Sequence, residues 1–403
     1  MAAGPSPGST PQVEPQIEAG TDAAEIRVFL VAGEASGDAL AGPLMAALRR
    51  QLGTKLRFAG IGGERMAEQG LRSLFPMAEL SLMGLVEVLP HLPRLWRRLL
   101  QAETAIRTWR PHVVVTVDAP GFNFRLAARL AGSGIPVVHY VAPTVWAWRP
   151  GRARRIAPLF RHLLAVLPFE PPWFESWGLA TTYVGHPVLE TVAGVVPARP
   201  PAGGPVVCLL PGSRRGEIRR LLPVFAAALA ILRQHHPGLS VVLPTVPAVQ
   251  EDVHEAVRGW PTPPDVILGR QQGLAAMAGA DVALAASGTV TLELALLGTP
   301  LVAAYRANPL TVAVVRRLLR VPYVTLVNLV LDRPAVPELL QERCRPELLA
   351  AALDRLLSDP AAAAGQRAAF AELARKLAVE VPPSERAASI IADIVRERAG
   401  KAG

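Results

Sequence analysis

From Ile26 onward the chain alternates short aliphatic runs with longer segments of helical periodicity, and glycine-containing turns separate the two. Short apolar runs of this kind are typical of strands buried on both faces of a parallel sheet, with helices as the crossovers. The predicted strands form two series, 26–32, 57–60, 112–117, 136–141, 163–166 and 181–184, then 206–210, 239–243, 265–268, 282–285 and 301–304. We therefore expect an α/β protein of two doubly wound, Rossmann-like domains that face a cleft, with ligands at the carboxyl ends of the strands.

Composition predicts where the domains begin and end. The chain has 403 residues, which exceeds the roughly 250–300 residues at which single cores stop growing. Residues 1–24 are rich in Pro, Gly, Ser and Ala without a hydrophobic period, which indicates a disordered tail. The Pro/Gly cluster 195–205 suits neither a helix nor a central strand, so we expect it to link domains 25–194 and 206–360. Residues 361–403 are predicted to form C-terminal helices.

Charge and cysteine content narrow the class of protein. The net charge is +9, and the first 25 residues hold four acidic and no basic residues, so the rest of the chain carries +13. Such a body attracts anions, whether nucleic acid, a lipid surface or phosphorylated substrates. Two distant cysteines argue against a disulfide framework, a zinc site and a redox pair, and suit a reducing compartment. Because no stretch has the pattern of a signal peptide or a membrane span, we expect a protein that is neither exported nor membrane-spanning.

Two loops of the first series carry candidate functional residues at predicted strand ends. The loop 33–38 enters a helix, where glycines let the backbone approach a ligand; a plain capped turn is the alternative. The loop 118–123 begins with Asp118, which is placed for a general base or a sugar ligand, although an Asx turn would also use it. Rival bases are Glu34, His139 and His186, and the more ordinary role of the histidines is structural. The candidate residues of the first-domain loops, besides Asp118, are Glu34, Ser36, Gly37, Asp38 and Asn123.

Two loops of the second series have the pattern of phosphate-binding turns between a strand and a helix. The first, LPGSRRG at 210–216, combines backbone donors, a helix N-terminus and a guanidinium; the alternative is a solvated arginine pair. The second, ASGTVTLE at 286–293, offers Ser287, Thr289 and backbone amides, with Glu293 as a candidate for the hydroxyls of a ribose. Here the alternative is ordinary capping, with Glu293 on the helix surface. Two such loops in one domain predict a nucleoside diphosphate.

Two segments combine aromatic and basic residues. In the first, MGLVEVLP is followed by HLPRLWRRLLQ, a basic amphipathic pattern that suits a membrane interface; a buried helix with a basic solvated face is the alternative. Its candidate docking residues are Leu89, Leu92, Leu95, Trp96, Arg97 and Arg98. The second cluster would suit lipid or nucleic acid and comprises Trp146, Trp148, Arg149, Arg152, Arg154 and Arg155.

The chain resembles the lipid-A-disaccharide synthase family in a series of stretches that follow the family's order: VAGEASGD, GIGGERM, MGLVEVL, DAPGFN, HYVAPTVWAWRPGR, LPFE, YVGHP, LLPGSRRGEI, AASGTVTLE, YRANPLT and PELLQ. They extend from Val31 to Gln341. The resemblance implies a glycosyltransferase-B fold and an inverting transfer without a metal or other cofactor. It implies UDP-2,3-diacylglucosamine as donor and 2,3-diacylglucosamine 1-phosphate as acceptor, with UDP and a β-1,6-linked disaccharide 1-phosphate as products.

The resemblance also implies roles for residues. Asp118 becomes the favoured base, and Arg214 is expected to meet charge on the leaving group. The implied UDP contacts are Ser213, Arg214, Ser287, Gly288, Thr289 and Glu293, with Tyr305 and Asn328 nearby. Because both substrates carry acyl chains, we expect a cytoplasmic protein attached peripherally to the inner membrane, with no nucleic acid partner and with homodimerisation left open.

Two other classes of function fit part of the pattern. A UDP-sugar epimerase shares this kind of fold and nucleotide site, but it has no need of a basic apolar docking segment. A non-catalytic binder of anionic lipid or nucleic acid would explain the basic charge, but not the paired phosphate loops.

Overall fold

The computed structural model describes residues 25–80, 91–200, 203–307, 312 and 318–400. Residues 1–24, predicted as a disordered tail, and the docking candidate Leu89 lie outside the described residues. Within that part of the chain, no helix is both long and apolar enough to cross a bilayer.

Two parallel sheets of six strands each form the framework, in the orders β2-β1-β3-β4-β5-β6 and β12-β11-β10-β7-β8-β9. The strands are β1 Ile26–Ala32, β2 Leu56–Ile61, β3 Val113–Val117, β4 Val137–Tyr140, β5 His162–Ala165, β6 Thr181–Tyr183, β7 Val206–Leu210, β8 Ser240–Thr245, β9 Asp265–Leu268, β10 Val282–Ala286, β11 Leu301–Tyr305 and β12 Glu338–Leu340. The prediction of two doubly wound sheets is confirmed. Only β12 was not predicted, because three residues beginning with a glutamate carry no strand pattern.

Helices cover both faces of the sheets, and the side-chain alternation of the strands shows how. In β1, Val28 and Leu30 pack into one apolar cluster, whereas Phe29 and Val31 pack into another on the opposite face. The helices are α1 Ala35–Leu52, α2 Glu64–Glu68, α3 Leu92–Trp109, α4 Pro120–Leu130, α5 Val145–Trp148, α6 Arg152–Ile156, α7 Pro171–Glu175, α8 Val188–Val192, α9 Arg215–His235, α10 Gln250–Val257, α11 Arg270–Gly279, α12 Val290–Leu296, α13 Leu326–Leu331, α14 Pro346–Ser358, α15 Pro360–Leu377 and α16 Pro383–Gly400. Burial on both faces explains why the strands are apolar throughout.

The C-terminal helices divide between the two sheets, which the sequence pattern did not indicate. Helix α15 packs against α12 and α13 of the second half, but α16 returns to the first half and packs along α1. Glu385 at the start of α16 pairs with Arg50 and accepts a hydrogen bond from Gln51 Nε2 at 3.0 Å. The C-terminal helices thus pack on both halves, because the apolar face of α16 is buried on a helix more than 300 residues earlier in the chain.

The described part of the predicted linker lies against the second half. The Ala198 N–H donates to the Ala275 carbonyl at 2.8 Å, and the Arg199 guanidinium contacts both carboxylate oxygens of Asp281, at 2.9 and 2.8 Å. The side-chain hydrogen bond to Asp281 raises the pKa of Arg199. These contacts attach the polypeptide to the second sheet before β7 begins.

Candidate active site

The candidate loops lie where the winding of each sheet reverses. In the first sheet β1 lies between β2 and β3, so the loops after β1 and β3 open a crevice that contains Glu34 and Asp118. In the second sheet β7 lies between β8 and β10, and the loops after β7 and β10 contain Arg214 and Ser287. Doubly wound folds bind ligands at such switch points, outside the carboxyl ends of the strands.

Charged residues from the two halves lie close enough to influence one another. The pKa of Glu34 lies above its usual value, chiefly because of burial and also because of the negative charge of Asp118. The positive charge of Arg214 in the second half acts in the opposite direction and reduces this rise. Ser36 Oγ donates to Asp118 Oδ2 at 3.4 Å. The structure thus gathers Glu34, Ser36, Asp118 and Arg214 at one cleft.

The backbone that presents Asp118 is strained. Asp118 and Ala119 have φ of 48° and 44°, and Val141 at the end of the neighbouring strand has φ of 79°. Non-glycine residues rarely adopt this region, least of all a β-branched one, and such strain concentrates at functional sites. Asn123 holds the loop, because its Nδ2 donates to the Val117 and Asp118 carbonyls at 3.1 and 2.8 Å. Asn123, predicted as a residue of the first-domain loops, is wholly buried and holds Asp118 in position.

Asp38 and Gly37, predicted as residues of the first-domain loop, have structural roles. The Asp38 carboxylate is buried and accepts hydrogen bonds from the backbone N–H groups of Gly63, Arg65 and Met66 at 2.8, 2.9 and 3.1 Å, so it caps α2. A Cβ at Gly37 would lie 3.3 Å from the Val117 carbonyl oxygen, because α1 crosses the sheet closely there. The alternative of a capped turn is met only in part, because Asp38 caps α2, and among the described residues no side chain caps the start of α1.

The loop after β7 exposes its polar side chains. Gly212 has φ of 105°, and a Cβ there would lie 2.2 Å from a Glu217 carboxylate oxygen, so only glycine fits the turn. The turn exposes Ser213 and Arg214 immediately before α9. Arg214 Nη1 lies 3.1 Å from Glu217 Oε1, and 61% of its side chain is exposed, which leaves it accessible to an anion from the cleft.

The loop after β10 combines open and buried features. Gly288 and Thr289 are exposed, and Thr291 Oγ1 donates to the Gly288 carbonyl at 2.8 Å. Glu293 is buried and pairs with Arg270, so the alternative that placed it on the helix surface is wrong. Arg270 was missed by the sequence analysis. The available signal was its position, two residues after a predicted strand and directly after Gly269 at φ of 97°.

Asn328 is buried, and both amide hydrogens of its side chain are used internally. Its Nδ2 donates to the Val336 carbonyl and to Glu338 Oε1, both at 2.9 Å, and its Oδ1 accepts from the Val336 N–H at 2.9 Å. Glu338 also accepts from Thr325 Oγ1 at 2.8 Å. This network fixes β12 against α13, and the nearness of Asn328 to UDP stays a prediction. Tyr305, the other such residue, lies half-buried at the carboxyl end of β11.

The rival histidines are neutral and buried. Burial lowers the pKa of His139 to about 3 and that of His186 to about 4. His186 Nδ1 accepts from the Val188 N–H at 3.2 Å, which is the structural role expected of it. His139 Nδ1 lies 2.8 Å from Thr116 Oγ1, but its buried Nε2 has no hydrogen-bond partner within the part of the chain that the structure describes.

Trp146 is buried, so it does not belong to an exposed aromatic-basic cluster. Its Nε1 donates to Glu170 Oε1 at 3.2 Å, and Glu170 Oε2 accepts the Val166 and Leu167 N–H groups at 3.2 and 3.0 Å. Burial raises the pKa of Glu170 to about 7. This carboxylate joins the segments after β4 and β5, where the WAW and LPFE stretches lie.

Helix α3 exposes an apolar stripe. Leu92, Trp96 and Leu100, spaced by four residues, are 47%, 54% and 37% exposed. The same helix also buries Leu99 and Ile106, as the alternative of a buried helix with a basic solvated face predicted. Arg97 is exposed and Leu95 is half-buried. Arg98, another predicted docking residue, contacts Glu79 at 2.9 Å, and its hydrogen bonds help to lower the pKa of Glu79 to about 2.

Comparison with known proteins gives relatives along nearly the whole chain. A family model described as lipid-A-disaccharide synthetase matches residues 28–391. A lipid-A-disaccharide synthase from Rhodospirillum centenum is 52% identical over 386 residues, which covers 92% of this chain and 95% of the relative. One from Gluconobacter oxydans is 46% identical over 378 residues, with 92% and 91% covered.

Solved structures of similar fold are much more distant in sequence. The kitacinnamycin glycotransferase superposes with a TM-score of 0.62 at 17% identity, over 92% of this chain and 99% of that one. UDP-GlcNAc 2-epimerase from Neisseria meningitidis, bound to UDP-GlcNAc, gives 0.59 at 13% identity, over 92% and 100%. At these identities the likeness concerns the fold alone, and it confirms the predicted glycosyltransferase-B arrangement. Among the described residues, no group of three or more His, Cys, Asp or Glu side chains is arranged to hold a metal ion.

Proposed function

The chain belongs to the lipid-A-disaccharide synthase family, and from this membership we propose how its two halves divide the work of forming the lipid A disaccharide. The protein is a glycosyltransferase that acts on a UDP-sugar donor and a sugar acceptor. The family match gives no support to the epimerase or the non-catalytic alternative. In finer detail, the donor is a UDP-linked acylated glucosamine, and the acceptor is an acylated glucosamine phosphate.

The proposed reaction is a single in-line displacement. The acceptor 6-hydroxyl attacks C1 of the donor, the bond between C1 and the β-phosphate oxygen breaks, and UDP leaves. Asp118 accepts the hydroxyl proton, and such general base catalysis contributes about 10²–10⁴-fold. Its position at a switch point and the strained backbone beneath it support this role.

The second half holds the nucleotide in this proposal. Arg214 and Ser213 contact the diphosphate, and Ser287, Gly288 and Thr289 supply further donors from the neighbouring loop. Charge that develops on the leaving phosphate is then met by a fixed guanidinium, which stabilises the transition state more than the ground state. Glu293 would accept ribose hydroxyls, with its carboxylate oriented by Arg270.

One observation carries the proposal: a carboxylate pair from the first half and an arginine from the second interact across one cleft. The direct test follows UDP release from UDP-2,3-diacylglucosamine in detergent micelles, with a chelator present, with and without 2,3-diacylglucosamine 1-phosphate. We expect UDP release that depends on the acceptor, with one disaccharide formed for each UDP. Binding of isotope-labelled UDP without release in either mixture would retain the nucleotide site and contradict the proposed substrates.

We also propose that helix α3 docks the enzyme on the cytoplasmic face of the inner membrane. The exposed Leu92, Trp96 and Leu100 would enter the headgroup region, and Arg97 together with the net positive charge would attract anionic lipid. Homodimer formation stays a prediction, which light scattering checks.

Replacing Leu92 and Trp96 together by glutamate is expected to abolish most sedimentation with vesicles that contain phosphatidylglycerol. Burial of one such side chain contributes roughly 1.5–3 kcal/mol, so losing two, at least about 3 kcal/mol, lowers partitioning by at least about 100-fold. Trp177→Glu is the matched control, since Trp177 is 49% exposed outside α3. Sedimentation of the double variant equal to that of the control would contradict docking through α3.

A further inference from the structure

A cavity of about 220 Å³ lies beside Asp118, at the carboxyl ends of β3 and β4. Asp118, His139, Trp148, Arg149 and Arg152 contribute to its wall. It is smaller than the ~300–1,000 Å³ pockets that enclose whole drug-sized ligands, so it suits one sugar headgroup rather than an acylated molecule. Because Asp118 lines the cavity, a sugar bound there can bring one of its hydroxyl groups to the Asp118 carboxylate.

Two guanidinium groups in this wall are held by aromatic rings. Arg149 Cζ lies 4.4 Å from the centre of the Trp148 ring, and Arg152 Cζ lies 5.2 Å from that of Phe124. Stacking fixes the plane of a guanidinium and leaves its N–H edge for a ligand. Across the described ranges, no carboxylate lies within ion-pair distance of either group, and neither side chain donates a hydrogen bond.

The electrostatics of the cluster favour an anion. Burial lowers the pKa of Arg152, and the charges of Arg149 and Arg125 lower it further. Like charges with no carboxylate within ion-pair distance repel each other, and a bound phosphate relieves that repulsion through charge-assisted, bidentate hydrogen bonds. Many other arginines of this chain do have acidic partners, as Arg98 has in Glu79. The pair in the cavity wall is therefore arranged for a negative group from outside the chain.

We propose that Arg149 and Arg152 bind the phosphate group of the acceptor sugar and so make the enzyme selective for a phosphorylated acceptor. The inference rests on the proposed function, with Asp118 as the base that receives the acceptor hydroxyl. The negative charge of Asp118 repels the phosphate and the two arginines attract it, so the charges of the wall orient the sugar within the cavity. His139, whose buried Nε2 has no hydrogen-bond partner among the described residues, also contributes to the wall of this cavity.

The test compares two acceptors, 2,3-diacylglucosamine 1-phosphate and the same compound without its phosphate, in detergent micelles. For Arg149→Gln and Arg152→Gln we expect kcat/KM to fall about 10- to 100-fold with the phosphorylated acceptor, the size of one charged hydrogen-bonding group. With the dephosphorylated acceptor kcat/KM should change little, and KM for the donor should stay the same. Arg155→Gln is the matched control, because Arg155 is an exposed arginine on the same short helix as Arg152. Its replacement by glutamine removes the same charge.

The outcomes separate the possible sources of the anion. An equal loss with both acceptors, or a wild-type enzyme that does not discriminate between them, overturns the proposal and leaves the proposed function intact. A raised KM for the donor would assign the cavity to the donor diphosphate, and weaker vesicle sedimentation with unchanged selectivity would assign it to a lipid headgroup; each overturns the proposal. No disaccharide from the wild type with either acceptor would reject the proposed function and this inference with it. Thermal unfolding midpoints of all variants check that each one is folded. Arg152→Lys retains a positive charge at this position, so this variant should keep part of the selectivity.

Discussion

Asp118→Asn is expected to lower kcat by about 10²–10⁴-fold, with KM for both substrates within about threefold of wild type, because an amide cannot accept the proton of the attacking hydroxyl. The substitution should preserve the fold. Asparagine tolerates the positive φ of 48° at this position, and its oxygen can still accept the hydrogen bond from Ser36. Initial rates of UDP release, measured over a range of each substrate in micelles, check the prediction.

Two further variants make the assignment of the base specific. Asp393→Asn is the matched control, since it makes the same chemical change on the exposed surface of α16 and should leave kcat unaltered. Glu34→Gln tests the rival carboxylate, which the structure places within electrostatic range of Asp118. A folded Asp118→Asn enzyme with wild-type kcat, or a greater loss in Glu34→Gln, would contradict Asp118 as the base.

Arg214→Ala is expected to lower kcat by about 10²–10³-fold, the effect of removing one fixed donor from a group on which charge develops. The guanidinium is exposed on a glycine turn and is held by Glu217 at 3.1 Å, so its loss should leave the fold unchanged. Arg214→Lys should recover only part of the activity, because an ammonium group cannot contact two phosphate oxygens in the fork geometry of a guanidinium. Single-turnover rates and UDP competition together measure the effects on chemistry and on binding.

Arg215→Ala provides the control for Arg214, because it removes an adjacent, equally exposed arginine whose partner is Asp252 at 3.1 Å. We expect the Arg215 variant to retain UDP affinity and kcat to within about threefold. Equal effects of the two substitutions would indicate that general positive charge, rather than a specific contact of Arg214, attracts the nucleotide.

The fold was largely predictable because the information that encodes it is local. Aliphatic runs such as those of β3 and β7 are buried on both faces, so their composition alone distinguishes them from the amphipathic helices. The loop positions of Asp118 and Arg214 follow from that alternation, since each comes directly after a strand. The exceptions are β12, which is three residues long, and α16, whose partner α1 lies at the other end of the chain.

The candidate site was predictable in its location but not in the role of each side chain. Asp38 and Asn123 have the residue types and positions of ligand contacts, yet the first caps α2 and the second holds the Asp118 loop. Glu293 is paired with Arg270, and Asn328 is bound to Glu338. In each case a backbone amide, carbonyl or charged group satisfies the polar group, whether it lies 5 residues away, as Asp118 does from Asn123, or 25 residues away, as Gly63 does from Asp38. The residue types alone do not show which of these partners forms.

The sequence by itself determined the two doubly wound sheets, the loops that lie at their carboxyl ends and the family to which the chain belongs. These depend on hydrophobic periodicity, turn residues and motifs, all of which are properties of short segments. Only the tertiary structure decided which polar side chains remain available to a ligand. It brought Arg214 to the carboxylates of the other half and left Arg149 and Arg152 without acidic partners in the described part of the chain. The physical reason is that a polar side chain can bind a ligand only where its neighbours in the folded chain have not already used its hydrogen-bonding groups. Packing, rather than local sequence, determines which groups are those neighbours.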